Sequence, residues 1–144
     1  MTMVTNDVER AERMGRGRAA LMALAAGVMV LNLVLQYGNP HYAGPDPRGA
    51  SWLLLIGLWT FMLWNGGGLR LRGRMRALLN DELSLQNRAR ALACGFYFAI
   101  VAALALYVLN WSTPVSTGDS LKIVSGGAVS AALACYAWLE WRWR

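Results

Sequence analysis

Residues 88–111 read RARALACGFYFAIVAALALYVLNW: two arginines flank an alanine, an uncharged run extends from Ala91 to Leu109, and an amide and an indole close it. A run of this kind has the reach of a bilayer core, which takes about 20 helical residues to cross. Similar apolar stretches occupy 19–37, 50–64 and 121–139, and this one is taken as 91–111. In a chain of 144 residues, four such stretches leave almost no length for a folded soluble module. The expected fold is an all-α integral membrane protein, a single bundle of four transmembrane helices.

The charges orient that bundle. Of the fourteen basic residues, four precede the first span (Arg10, Arg13, Arg16, Arg18), six lie between the second and third (Arg70, Arg72, Arg74, Arg76, Arg88, Arg90), and two follow the fourth (Arg142, Arg144). Only Arg48 and Lys122 fall toward the other face. Short loops rich in Arg and Lys stay in the cytoplasm. The expected order is therefore up-down-up-down with both termini cytoplasmic: a tail over 1–18, a transmembrane domain over 19–139 and a short tail over 140–144. The net charge of +6 follows from this asymmetry and implies no nucleic-acid partner. Trp52 and Trp111 should mark the outer boundary, and Trp64, Trp138, Trp141 and Trp143 the inner one, because an indole suits the headgroup layer. Asp7, Glu9 and Glu12 interrupt the basic N-terminal segment, so the first span is expected to be retained rather than cleaved. Thirteen arginines against one lysine fit a GC-rich bacterial genome, and the expected location is a bacterial inner membrane, with membrane lipids as surroundings.

Outside the spans, residues 38–49 carry Pro40, Pro45 and Pro47 among glycines, a composition that predicts an extended link without helix. The outer loop 112–118 contains Pro114, with Thr117 or Asp119 as the expected cap of the fourth helix. In the tail, Asn6 or Asp7 would start a short helix leading into the first span, with the outermost residues unstructured. The stretch 69–90 is the largest cytoplasmic segment. Leu71, Met75, Leu78 and Leu79 form one apolar helical stripe suited to the membrane surface. Asn80, Asp81 and Glu82 then favour a new helix start, predicting a helix from Asp81 to Trp111, roughly 45 Å long at 1.5 Å per residue.

Small residues repeat at spacing four: Ala19, Ala23 and Gly27 in the first span, Gly95, Ala99 and Ala103 in the third, Gly127, Ala131 and Cys135 in the fourth. Such faces let helix backbones approach where lipid supplies no hydrophobic drive, either within one chain or in a homodimer. The second span lacks a stripe and is expected to be the most lipid-exposed.

No catalytic constellation is present, and an enzyme is not expected. His41, the single histidine, sits in an outer loop, so no metal site, haem ligation or other cofactor is expected. Asn32, Gln36 and Asn110 form a candidate polar cluster near the outer ends of the first and third spans, either as interhelical hydrogen bonds or as a small-ligand pocket. Cys94 and Cys135 fall at matching inner depth and form a candidate redox pair, the alternative being two small packing residues. With no acidic residue at mid-membrane depth, an ion-coupled transporter is disfavoured.

The run Leu79-Asn80-Asp81-Glu82-Leu83, followed by Asn87-Arg88 and Gly95, resembles a segment of small four-span bacterial membrane proteins of unknown function. In these a short Asp-Glu motif precedes the third span, and a neighbouring gene often encodes a helix-turn-helix regulator. The resemblance covers about a fifth of the chain and implies a partner, not an active site. The expectation is a noncatalytic regulatory or scaffolding protein that holds a cytoplasmic partner, a DNA-binding regulator among the candidates. Its contact residues would be Arg72, Arg76, Asp81, Glu82, Gln86 and Arg88. An oligomeric transport or channel subunit and a membrane redox or small-ligand-binding component are the alternatives.

Overall fold

The apolar runs become four helices. In a computed structural model, whose described backbone covers residues 2–36, 47–65 and 82–142 and whose described side chains cover 15–35, 51–65 and 84–142, α1 spans Thr2–Gln36, α2 Pro47–Trp64, α3 Glu82–Leu109 and α4 Thr117–Arg142. Three of them contain segments long and apolar enough to cross a membrane: Gly15–Leu35, Ser84–Leu109 and Thr117–Arg142. Ser51–Trp64 in α2 is a shorter apolar helix. His41, Arg72, Arg76 and Asp81 lie outside the described residues, as do the side chains of Gln36 and Glu82.

The helix ends depart from the sequence reading at specific residues. α1 is continuous from Thr2, so Asn6 and Asp7 lie inside it, and the expected unstructured residues at that end are helical from Thr2 onward. α2 opens at Pro47, within the stretch expected to exclude helix. Proline suits the first helical turn, where its missing N–H would have no partner and its φ is already helical. α3 begins at Glu82 and ends at Leu109, where the hydrogen bonds tighten: Trp111 N donates to Val108 O at 3.2 Å and Ser112 N to Leu109 O at 3.0 Å. The cap of α4 is Ser116, not Thr117 or Asp119. Its Oγ accepts from the Asp119 amide at 3.1 Å and donates to the Asp119 carboxylate at 2.8 Å. This satisfies an orphan amide and places a negative charge at the positive helix end.

α4 is the hub. Its principal contacts are with α3 and α1, and α2 touches it less. Arg18 meets Glu140 at one end of α1 and α4, while Leu33 approaches Gly126 near the other, so these two helices run antiparallel. The interior gathers Met22, Ala25 and Ala26 from α1, Leu63 from α2, Ala91 from α3, and Ala132, Leu133, Tyr136 and Ala137 from α4. The buried face of α1 is thus Met22, Ala25, Ala26 and Met29, whereas of the expected stripe only Ala19 is buried and Gly27 faces open space. Unbranched methionine fills irregular gaps between helices, and the three- and four-residue spacing holds this face toward α4.

The closest approach involves α3. A methyl group on Gly95 would stand 2.8 Å from the Ala128 carbonyl oxygen and 3.0 Å from the Ala132 Cβ. Gly126 takes the indole of Trp52, and Gly127 takes the ring of Phe98. Trp52 is therefore an interior residue, only 6% exposed, and not an interfacial anchor. Aromatic edges seated on glycines make many short dispersion contacts, the form of attraction that still separates packed from unpacked helices in lipid. Among the three long spans, Ser84–Leu109 is the least buried, and Phe96, Tyr97, Val101, Leu104 and Val108 are exposed along it.

Two glycine substitutions separate these environments. Gly95→Ala should lower stability by about 1–3 kcal/mol, because the methyl meets a helix backbone that cannot step aside. Gly27→Ala should leave stability unchanged or slightly raised, since alanine favours helix and meets nothing. Reversible unfolding in mixed micelles, followed by tryptophan fluorescence, measures both.

Candidate functional site

Polar side chains collect at the end of the bundle where α1 and α3 carry their arginines. Arg18 has a side chain 8% exposed; its Nη2 lies 3.1 Å from Glu140 Oε1, on a side chain 3% exposed. The same nitrogen donates to Ser84 Oγ at 3.1 Å, and the guanidinium carbon sits 5.6 Å from the centroid of the Tyr136 ring. Asn87 and Tyr136 are fully buried beside this group of helices. One guanidinium on α1 thereby engages α3 through Ser84 and α4 through Glu140 and Tyr136. The planar, multiply donating head makes this possible, and cation–π attraction adds to it.

A second arginine joins the remaining helix. Arg88 Nη1 on α3 donates to the Trp64 carbonyl at the C-terminus of α2, at 2.9 Å. The last carbonyls of a helix have no partner inside it and carry its negative pole, so a guanidinium there satisfies both the hydrogen bond and the field. Asn65 continues the same turn, its backbone and side-chain nitrogens both donating to Phe61 O at 3.0 and 3.1 Å.

The residues expected from the sequence are distributed differently. Gln86 is exposed and Arg88 half-buried, and Arg88 has the structural contact just described in addition to any role at a surface. Asn110 uses its Oδ1 to accept from the Val115 amide at 3.1 Å, holding the α3–α4 loop. Asn32 is half-buried on α1. Cys94 and Cys135 are free thiols that lie near one another across α3 and α4. Among the described residues no three His, Cys, Asp or Glu side chains are placed to hold a metal ion. Comparison with family models, curated proteins and solved structures yields no match. The geometry therefore carries the functional reading.

The Arg18–Glu140 pair escapes a reading that treats arginines as topology markers and Glu140 as a boundary residue beside Arg142 and Arg144. A signal was present in the antiparallel pairing: Glu140 is the only acid beyond Asp119, and it falls level with the N-terminal end of the first apolar run. A partner on that span follows, because an unpaired carboxylate there would be costly.

Arg18→Met should destabilise the bundle by about 3 kcal/mol, since it leaves Glu140 buried without its counter-charge. The double replacement Arg18→Met with Glu140→Leu should recover most of that loss, as an apolar pair of similar volume needs no charge partner. A double-mutant cycle in mixed micelles gives the coupling directly.

Proposed function

We propose that this chain is a noncatalytic regulatory scaffold of a bacterial inner membrane, holding a cytoplasmic protein at the membrane surface, with a DNA-binding transcription regulator as the partner that the resemblance implies. In this reading the helices cross up-down-up-down, and both termini and the arginine-rich end face the cytoplasm. The observation that supports it is how polarity is divided at that end. Arg18 bonds Ser84 and Glu140 inside the bundle, while Arg16, Gln86, Arg90 and Arg142 are exposed around them. The interior ties helices together and the rim presents charge outward, which is the arrangement of a fixed platform for an oppositely charged partner. Asp81 and Glu82 immediately precede Leu83 and Ser84 in the sequence, and this reading counts them among the contact residues.

A redox reading rests on one specific observation, the adjacency of the Cys94 and Cys135 thiols. Two thiols in a reducing cytoplasm also serve as small packing residues. Loss of activity in a Cys94→Ser, Cys135→Ser variant of normal abundance would favour the redox component over the scaffold. A channel reading requires several copies, because Gly95, Gly126 and Gly127 bring neighbouring elements into direct contact.

Two outcomes are expected. A cysteine introduced at position 76 in a Cys94→Ser, Cys135→Ser background should resist an impermeant thiol reagent in intact cells and react after permeabilisation; labelling from outside would invert the topology. Reversing Asp81 and Glu82 to lysine should remove the cytoplasmic partner recovered from native membranes, at unchanged membrane abundance. Arg88 is kept as arginine in that variant, because its loss would loosen α2. Undiminished recovery of the same partner would reject this surface.

A further inference from the structure

Between the arginine-rich ends of α1 and α4 lies an open cleft of about 470 Å³, lined by Arg16, Ala19, Ala20, Glu140 and Trp141. We propose that this cleft is a binding site for one anionic phospholipid, its phosphate held by Arg16 and its glycerol and upper acyl chains laid over the two alanines. Three features of the cleft converge on that ligand.

The first is depth. Arg16 and Arg18 are the last charges before the uncharged run 19–36 of α1, and Glu140 and Arg142 the first after the uncharged run 123–139 of α4, so a cleft bounded by Arg16 and Trp141 sits where the hydrocarbon gives way to headgroups. Trp141 is 77% exposed there, in the layer that indoles favour. The second is shape. Residues 16, 19 and 20 share one face of α1, and alanines at two of these positions leave an apolar floor without side-chain bulk, next to a charged head at the third. A phospholipid has the same division, phosphate at one end and hydrocarbon at the other.

The third is charge. Glu140 forms part of the wall, and a bare carboxylate would repel a phosphate. It is bonded to Arg18 at 3.1 Å, so this pair contributes no net charge. Arg16 forms no ion pair with another described residue and is the remaining charge among the residues that line the cleft. A guanidinium binds phosphate through two parallel N–H donors. A choline headgroup would bring its cation toward Glu140, whose charge is already matched. Selection therefore falls on lipids with net negative charge.

The full-length protein, purified in detergent and titrated by native mass spectrometry with phosphatidylglycerol and phosphatidylcholine of identical chains, tests this. One equivalent of phosphatidylglycerol should bind about tenfold more tightly than phosphatidylcholine, because Arg16 can hold the phosphate of either lipid but only phosphatidylcholine brings a second cation beside that guanidinium. Arg16→Gln should reduce that ratio to near one. Ala20→Leu, at an exposed position that fills the cleft without entering the interior, should lower the occupancy of both lipids. Excess glycerol 1-phosphate should fail to displace the lipid. Parity between the two lipids in the parent protein would overturn the proposal. So would a preference that survives Arg16→Gln, unchanged occupancy in Ala20→Leu, or displacement by glycerol phosphate without acyl chains.

Discussion

The guanidinium of Arg18 is the constraint on which the rest of the bundle depends. A charge near the edge of a bilayer must either reach water or find a countercharge inside the protein. Arg18 does the latter, and in doing so it fixes where α1, α3 and α4 stand relative to one another. Glu140 supplies the charge, Ser84 a hydroxyl and Tyr136 an aromatic face. Arg88 performs the corresponding task for α2 through the Trp64 carbonyl. Two arginines thus bring the four described helices into register at one end, using directional contacts that tolerate little sliding. Buried ion pairs contribute little net stability once desolvation is counted. Their effect here is on which arrangement forms.

Packing along the rest of the bundle follows from the poverty of the solvent contrast. Lipid chains solvate leucine as well as another helix does, so association relies on close approach and dispersion. α4 meets that requirement with Gly126, Gly127, Ser130, Ala132 and Ala137 on its buried surface. Larger groups from its neighbours, Trp52 and Phe98, enter the space that the glycines leave. Large residues on one helix facing small ones on another produce interdigitation that a uniform leucine surface would not.

How much of this was legible in the sequence depends on the kind of information involved. Helix number and approximate extent were visible, because length and apolarity act locally and survive any tertiary arrangement. The small-residue faces of α3 and α4 were visible at Gly95 and Gly127 for the same reason. The face of α1 was not: Met22 and Met29 carry the contact, and methionine reads equally well as lipid-facing or interior until its neighbours are known. Tryptophan as a residue type favours an interface, yet Gly126 on another helix offers Trp52 a better seat. Pro47 was counted against helix, though at a first turn it favours one. The Arg18–Glu140 pair joins residues 122 positions apart, and each partner had an adequate local explanation.

The position of α4 at the centre has a consequence for biogenesis. Synthesis proceeds from the N-terminus, so α1, α2 and α3 leave the ribosome before the helix they chiefly pack against. Until α4 enters the bilayer, Arg18 has no Glu140, Trp52 no glycine to rest on, and Gly95 no backbone to approach. Before then the contacts open to the earlier helices are those of Arg18 with Ser84 and of Arg88 with the Trp64 carbonyl, and Arg18 is without its counter-charge. Arrival of α4 then supplies the surface on which α1 and α3 chiefly pack. A nascent chain interrupted before Glu140 would expose an unmatched arginine within reach of the bilayer edge, a mark by which quality control could tell an unfinished molecule from a complete one.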